Sequence, residues 1–240
     1  MGGRVHRERP FVLYNVAVTA DGKVATVDGD SRVSGREDLV EVHRLRAEFD
    51  AVAVGVNTVL ADDPMLNVRL VDGEDPIRVV FDSRCRTPAD SRLVKTAGSI
   101  PTVIYCSDVA PEDRVRELEE AGVDVHRVGE ERVDVAAALR HLAREYGVER
   151  LLLEGGPTLA WSFFKEGLVD EVRMAIAPVM VGGSEAPTAL EGEGFSEVVD
   201  GVALELTSVE KLGRDVILRF KVGGDAGSLA EEHESARSRG

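Results

Sequence analysis

The stretch HRLRAEFDAVAVGVNTVLADDPMLNVR, residues 43–69, carries the strongest indication of how this chain folds and what it binds. It begins in a basic helix end that holds Arg44 and Arg46, and it passes into an apolar run over residues 51–56. A polar turn is predicted next, and the stretch closes at Arg69. A short buried strand that opens into hydroxyl, carboxylate and guanidinium groups is typical of ligand sites at strand ends in α/β proteins.

A second stretch, LLLEGGPTLAWSFF at residues 151–164, has the same design. We predict a strand that ends at Glu154, followed by two glycines that allow close approach of a backbone or ligand. Pro157 suits the first position of a helix, whose free N–H groups attract a phosphate or pyrophosphate. A tight strand-to-helix turn without any ligand explains Gly155 and Gly156 equally well, so this motif alone leaves both interpretations open.

Strands and helices alternate along most of the chain, which predicts an α/β fold with a mostly parallel central sheet flanked by helices. The last two strands, over residues 202–209 and 216–222, are expected to form an antiparallel hairpin at the sheet edge. We expect one domain over residues 11–222, a frayed segment over residues 1–10, and a disordered tail over residues 223–240. The other strands are predicted at residues 11–19, 77–81, 102–105, 123–128, 150–153 and 171–177, and helices at residues 112–121, 133–146 and from residue 157.

Local signals near the N-terminus predict a hairpin and a capped helix. Asp21-Gly22 is a tight-turn signal, after which the first strand is expected to resume over residues 23–27. Ser34 followed three residues later by Glu37 fits a capping box at the start of a helix. The apolar stripe of that helix is expected to comprise Leu39, Val42, Leu45 and Phe49.

Composition excludes several classes of partner. The net charge of −15 argues against extended contact with nucleic acid or an anionic membrane surface. No apolar run is long enough to cross a membrane, and the five histidines form no zinc-ligand pattern, so no metal is expected. Cys85 and Cys106 lie in unlike contexts and fit two isolated thiols in a reducing cytoplasm.

The polar residues after the strand at residues 51–56 are ambiguous when taken singly. Thr58 could hydrogen-bond a phosphate or ribose, and Asp62 a sugar hydroxyl, but Asp62-Asp63-Pro64 is also a common turn composition. Arg46 and Arg69 favour the ligand interpretation, because two guanidinium groups flanking one pocket would suit a phosphate in an acidic protein.

Five segments, in order along residues 11–220, resemble the reductases of riboflavin biosynthesis. The domain of this family also forms the C-terminal half of bacterial bifunctional deaminase-reductases. The long block at residues 43–69 is the most specific of the five segments. The others are N-x-A-x-T-x-D-G-K at residues 15–23, R-V-V-F-D-S-x-x-R-x-P at residues 78–88, E-G-G-P-T-L at residues 154–159, and L-V-D-E with A-P-x-x-x-G-G across residues 168–183.

The resemblance implies a dihydrofolate-reductase-like fold, NADPH as cofactor, and reduction of the ribosyl group of a pyrimidine 5′-phosphate to ribityl. It places the two arginines near the sugar phosphate. The implied cofactor contacts are Ala17, Thr58, Asp62, Ser83 and the turn over residues 155–162, which includes Gly155, Gly156, Pro157, Thr158 and Leu159. The implied substrate contacts are Asn15, Ser31, Arg46, Leu66, Arg69 and Glu154.

No deaminase domain accompanies these segments, so the chain resembles the stand-alone archaeal and fungal reductases. Their implied substrate is 2,5-diamino-6-ribosylamino-4(3H)-pyrimidinone 5′-phosphate, whereas the bacterial forms act after deamination. Opening of the ribosylamine ring gives an imine at C1′, which hydride from NADPH reduces. A proton must be supplied as the ring opens, and the candidate sources are Glu154, Asp21 and water.

Two other functions stay open on the sequence alone. One is a dihydrofolate- or pteridine-type reductase, since a folate glutamate could also bind an arginine. The other is a non-catalytic module that binds NADPH. Whichever holds, selection of NADPH over NADH needs a cation at the 2′-phosphate, for which Arg84 and Arg86 are the candidates. The predicted edge hairpin, together with the resemblance, favours a homodimer.

Overall fold

Nine strands form one sheet in the computed structural model, which describes residues 8–223. Their order across the sheet is β5-β4-β3-β2-β6-β1-β7-β9-β8, with β6 in the middle. All neighbours are parallel as far as β7, and β9 then runs antiparallel to both β7 and β8. The strands are β1 Phe11–Thr19, β2 Ala51–Gly55, β3 Ile77–Phe81, β4 Thr102–Cys106, β5 Asp124–Arg127, β6 Arg150–Gly155, β7 Glu171–Ala177, β8 Leu204–Leu212 and β9 Asp215–Val222.

Helices cover both faces of this sheet and close two apolar cores. Side chains of α5 and α6, such as Leu139 and Phe163, pack on one face, and those of α1 to α4, such as Leu45 and Leu118, pack on the other. The prediction of a mostly parallel sheet with a C-terminal antiparallel hairpin is therefore confirmed. The helices are α1 Arg36–Glu48, α2 Val56–Asp62, α3 Arg92–Lys95, α4 Glu112–Glu120, α5 Val135–Tyr146 and α6 Pro157–Lys165, with a 3-10 turn at Val198–Asp200.

Burial follows the pleat of the strands. On β1, Val12 and Tyr14 enter the core below α5 and α6, whereas Leu13 enters the core below α1. Asn15 and Ala17 have the same parity as Leu13, so they face the α1 side near the carboxyl end of β1. In a parallel sheet, that end of the central strands is where ligands bind.

Two local predictions near the N-terminus are wrong. Residues 23–27 form no strand, and Lys23 makes only an isolated bridge to Thr188, because the chain pairs with the loop after β7 instead of with β1. Ser34 does not cap α1: the N-cap residue is Gly35, whose N–H donates to the Asp215 carboxylate at 2.6 Å. The cap is therefore supplied by the distant β9, which no local motif can reveal.

The buried face of α1 is more polar than the predicted stripe. Leu39 is 43% exposed, whereas Asp38, His43 and Arg46 are buried beside Leu45. The predicted polar turn after β2 is also wrong, since residues 56–62 form α2, with Asp63 as a left-handed C-cap.

The two cysteines are free thiols, as expected, but they are not isolated from each other. Both are buried, and a hydrogen bond to Cys106 raises the pKa of Cys85, while the same bond lowers the pKa of Cys106. Sequence spacing could not show this contact, because it joins the loop after β3 to the end of β4.

Most of the two predicted terminal segments lies outside the described residues. Within residues 1–10, Arg9 is described, and its guanidinium pairs with Asp170 at 2.7 Å. The tail predicted over residues 223–240 falls beyond the described part except for Gly223. The single domain over residues 11–222 stays a prediction.

Candidate functional site

A buried ion pair lies at the centre of the candidate site. Glu154 near the end of β6 accepts two hydrogen bonds from Arg46 of α1, from Nε to Oε1 at 2.7 Å and from Nη2 to Oε2 at 2.6 Å. The two side chains are 10% and 11% exposed. This planar, bidentate geometry fixes both groups, and it occupies both oxygens of the glutamate that the sequence marks as a candidate acid.

The segment that follows α2 brings Arg69 beside this pair. Arg46 Nη1 donates to the Asn67 carbonyl at 3.1 Å, and Arg69 Nη1 donates to the Asn67 side-chain oxygen at 3.0 Å. The Arg69 side chain is exposed and forms no ion pair with a carboxylate among residues 8–223. The structure thus brings the two predicted arginines together and leaves the charge of one of them uncompensated.

His43 is a site residue that sequence reasoning missed. It is fully buried on α1, and its Nδ1 accepts the backbone N–H of Arg69 at 3.1 Å. Burial, followed by the charges of Arg46 and Arg69, lowers the pKa of His43 to about 4, so the ring is neutral near pH 7. The signal in the sequence was its position three residues before Arg46, on the same helix face.

A second buried network orients Asn15. Arg173 of β7 donates to the Asn15 side-chain oxygen at 2.9 Å and to Asp38 of α1 at 2.6 Å. Arg173 and Asp38 are each 1% exposed. β1 and β6 pair up to Tyr14 and Leu153, so Asn15 and Glu154 each follow the last paired residue of their strand. Sequence reasoning named Asn15 but not the two charged residues behind it.

The turn between β6 and α6 has the backbone that close ligand approach requires. Gly155 and Gly156 have φ values of 116° and 57°, which L side chains rarely adopt. A Cβ built on Gly156 would lie 3.3 Å from Thr58 Oγ1, so Thr58 stands directly beside the turn. Pro157 begins α6, as predicted, and leaves the first-turn N–H groups of Thr158 and Leu159 at the helix N-terminus.

Other predicted cofactor residues are joined to this region by hydrogen bonds. Arg86 Nη2 donates to the Asn57 side-chain oxygen at 2.9 Å, which brings a guanidinium next to Thr58. Ser31 donates to Asp62 at 3.1 Å, so one predicted substrate contact and one predicted cofactor contact touch each other. Both of these side chains are exposed and free to turn toward a ligand.

Three predicted residues make their contacts elsewhere. Ser83 Oγ accepts the N–H of Val133 at 3.1 Å, in the loop before α5. The side chain of Leu66 is buried, and its φ of 49° turns the chain toward Asn67. Asp21 accepts from Thr19 at 2.6 Å and from the Gly182 N–H at 2.7 Å. These two bonds, that from Thr19 being the larger cause, lower the pKa of Asp21 and tie it to the loop after β7.

The family model of the RibD C-terminal domain matches residues 10–218. The chain belongs to the RibD C-terminal domain family. This match covers all nine strands except the last residues of β9, and it confirms the resemblance carried by the five segments. Like the family, the chain is an oxidoreductase, and the family implies a nicotinamide cofactor.

Two relatives of this RibD C-terminal domain are named 2,5-diamino-6-ribosylamino-4(3H)-pyrimidinone 5′-phosphate reductase. That of Methanothermobacter thermautotrophicus is 49% identical over 219 residues, which are 90% of this chain and 100% of the relative. That of Archaeoglobus fulgidus is 44% identical over 198 residues, which are 78% of this chain and 89% of the relative.

A solved structure of RibD from Acinetobacter baumannii matches 90% of this chain with a TM-score of 0.78 and 29% identity. The chain spans 58% of the length of that protein. The match confirms the dihydrofolate-reductase-like fold of this RibD C-terminal domain. Within residues 8–223, no helix combines the length and apolar character needed to cross a bilayer.

Proposed function

We propose that this chain reduces the ribosyl group of 2,5-diamino-6-ribosylamino-4(3H)-pyrimidinone 5′-phosphate to ribityl with NADPH. The observation that carries the proposal is the cluster of Arg46 and Arg69 beside Glu154 at the end of β6. The names of the archaeal relatives support this substrate over dihydrofolate, and they favour an enzyme over a non-catalytic module.

The residues around the β6–α6 turn fit a dinucleotide. The positive φ values of Gly155 and Gly156 and the absence of a side chain beside Thr58 leave a cradle that a Cβ would fill. The N–H groups at the start of α6 and the Thr58 hydroxyl are donors of the kind that hold a pyrophosphate. When bound, the nicotinamide cofactor supplies the hydride. We further propose that Ala17, Asp62 and Ser83 belong to this cofactor site.

Arg86 is our candidate for selecting NADPH over NADH. Both Arg84 and Arg86 are exposed, but the guanidinium of Arg86 is hydrogen-bonded to Asn57, the residue before Thr58. The 2′-phosphate that distinguishes NADPH needs a cation, and a guanidinium can bind it with two hydrogen bonds. Arg86→Ala should therefore reduce the ratio of NADPH to NADH affinity about tenfold or more, and the matched Arg84→Ala should not. An unchanged ratio in Arg86→Ala would refute the assignment.

In the substrate pocket, Arg69 is the group with free charge. Arg46 already has both its Nε and Nη2 donors on Glu154, so we propose that Arg69 binds the phosphate and that Arg46 supports it. Asn15, held through its oxygen by Arg173, keeps its amide N–H groups for the pyrimidine ring. Ser31 and Leu66 stay our proposed substrate contacts, Ser31 by its exposed side chain and Leu66 with its side chain buried in the core.

The contacts of Glu154 and Asp21 bear on the proton source. Glu154 is paired with Arg46 through both oxygens, which leaves it as a hydrogen-bond acceptor for a sugar hydroxyl. The lowered pKa of Asp21 keeps this carboxyl ionised near neutral pH, so it has no proton to donate. We therefore propose that water supplies the proton when the ribosylamine ring opens.

The experiment that tests the function compares two substrates under identical conditions. The purified chain should oxidise NADPH with the diaminopyrimidine ribosyl phosphate, and the product should be heavier by two hydrogens, with an open ribityl chain by NMR. Dihydrofolate should give no turnover. Turnover of dihydrofolate alone would establish the pteridine reductase, and cofactor binding without oxidation under either substrate would establish the non-catalytic module.

We also propose that the protein is a homodimer that pairs through its C-terminal hairpin. The edge strand β8 exposes Leu206 at 53% and Val209 at 60%, and an apolar edge strand needs a cover. Leu204, in the same strand, and Phe195, in the segment before it, are each 43% exposed. Light scattering at micromolar concentration should give twice the chain mass of 25.9 kDa, and a monomer mass would contradict the proposal.

A reducing, cytoplasmic location is proposed from the cysteines. Cys85 and Cys106 are both free and buried, and unpaired thiols of this kind are typical of a reducing compartment. Thiol titration of unfolded protein, purified without reductant, should find two free thiols for each chain. A single disulfide would contradict this location.

A further inference from the structure

The segment that carries Arg69 has no regular secondary structure, so its position depends on the side chains that hold it. Two neighbouring residues on the buried face of α1 do so. Arg46 donates to the Asn67 carbonyl at 3.1 Å, and His43 accepts the N–H of Arg69 at 3.1 Å. The segment also packs on the same helix, since a Cβ on Gly73 would lie 2.5 Å from Ala47 Cβ.

The bond to Arg69 defines the state of the His43 ring. A backbone N–H can only donate, so Nδ1 is the bare nitrogen and the proton of the neutral ring sits on Nε2. Nε2 is buried and makes no hydrogen bond within residues 8–223. An unpaired buried N–H costs free energy that an apolar side chain of similar size would avoid. The hydrogen bond of Nδ1 with the Arg69 N–H is therefore the contribution of the histidine that the geometry shows.

We infer that His43 is a positioning residue, whose Nδ1 sets the backbone of Arg69 so that its guanidinium points toward the substrate phosphate. This inference rests on the proposed function. His43 itself does not touch the phosphate: it is fully buried, and its ring reaches the main chain of Arg69, not the side chain. Loss of Nδ1 should release the segment between residues 67 and 69 and spread Arg69 over several orientations.

Two substitutions of His43 distinguish the loss of its hydrogen-bond acceptor from a change in side-chain volume. His43→Leu removes the acceptor and keeps an apolar side chain, whereas His43→Asn places its amide oxygen where Nδ1 stood. Loss of one neutral hydrogen bond corresponds to a change of about two- to tenfold in affinity. His43→Leu should raise KM for the phosphorylated diaminopyrimidine by that factor, with kcat and the Kd for NADPH unchanged. His43→Asn should bring KM back toward the wild-type value.

A double-mutant cycle tests whether the effect passes through Arg69. In an Arg69→Ala background, His43→Leu should produce no further rise in KM, because the guanidinium that it positions is gone. Leu39→Asn, on an exposed site of the same helix, is the control for general damage to α1. Equal KM values for His43→Leu and His43→Asn, or an equal rise in both backgrounds, would overturn the inference.

The wild-type assay separates this inference from the proposed function. If the wild-type chain oxidises NADPH with the pyrimidine phosphate and His43→Leu leaves KM unchanged, the proposed function is supported and the positioning role of His43 is refuted. If the wild-type chain turns over no ribosylaminopyrimidine phosphate, both the proposed function and the positioning role are refuted. A rise in KM that His43→Asn reverses, and that disappears in the Arg69→Ala background, supports the positioning role.

Discussion

Replacing Arg46 by methionine should damage stability and activity together. The change leaves the Glu154 carboxylate buried at 11% exposure without its bidentate partner. Removing one member of a buried ion pair costs about 3–5 kcal/mol, because the remaining charge stays buried away from water and no longer has a partner. We expect Arg46→Met to lower the free energy of unfolding by that amount, measured by urea denaturation.

The double substitution Arg46→Met with Glu154→Met is expected to leave the stability nearly unchanged. Two apolar side chains that replace a buried ion pair are often neutral or stabilising, so this variant should unfold within about 1 kcal/mol of wild type. Its kcat/KM should nevertheless fall by about tenfold to over a hundredfold, because charge-assisted hydrogen bonds to the substrate are lost. Recovery of stability without activity would show that the pair is kept for binding.

The matched control lies on the same helix. Arg44 pairs with Glu41 at 3.1 Å, but its side chain is 58% exposed, so Arg44→Met should change the free energy of unfolding by less than about 0.5 kcal/mol. Arg46→Met with unchanged stability would refute the buried pair. A double variant with wild-type kcat/KM would refute the site itself.

Three further predictions concern the neighbouring residues. Arg69→Ala should raise KM for the phosphorylated pyrimidine about ten- to a hundredfold. Because the Arg69 side chain is exposed, the stability and the Kd for NADPH should stay nearly unchanged, and Arg69→Lys should recover part of the loss in KM. If Arg69→Ala reduces the affinity for NADPH and not that for the pyrimidine, Arg69 belongs to the cofactor site. Gly156→Val should lower the free energy of unfolding by about 1–2 kcal/mol, because φ at this position is 57°. It should also weaken NADPH binding about a hundredfold, because the side chain would crowd the turn beside Thr58. Equal losses of stability and affinity would favour a turn that binds no ligand. The pKa of folded His43 is lowered to about 4 from 6.5, so the stability that its neutral ring contributes is complete above pH 6.5 and is lost as the pH falls toward 4. Over that range, the free energy of unfolding of wild type, measured by urea denaturation, should fall by at most about 3 kcal/mol more than that of His43→Asn. Parallel pH profiles for the two proteins would contradict the lowered pKa.

The sheet was largely predictable because its strands are buried runs of branched residues. β1, β3 and β7 have the predicted bounds, and their apolar periodicity is strong enough to override weak local preferences. The region after β2 was not predictable in this way. Asn57, Thr58 and the Asp-Asp-Pro sequence favour a turn locally, yet Val56 and Val59 are buried against the sheet and stabilise α2.

The site was predictable in its residues but not in its pairing. Sequence patterns named Arg46, Arg69 and Glu154, but the bidentate bond joins residues 108 positions apart, so only the fold reveals it. Arg173 was missed because a lone arginine in a strand has no distinguishing local signal, and the position of His43 three residues before Arg46 shows only that the two share a helix face. Their importance comes from burial and from the partners that the tertiary structure supplies.

The most direct test of the central claim is NADPH oxidation, followed by the absorbance of the reduced nicotinamide, with each pyrimidine supplied separately. The diaminopyrimidine ribosyl phosphate should be reduced with the higher kcat/KM, and its deaminated counterpart should react more slowly. Arg46→Met with Glu154→Met, which is expected to remain folded, should lose most of that activity. A chain that oxidises NADPH with neither pyrimidine, although it is folded and binds the cofactor, would contradict the proposed reaction.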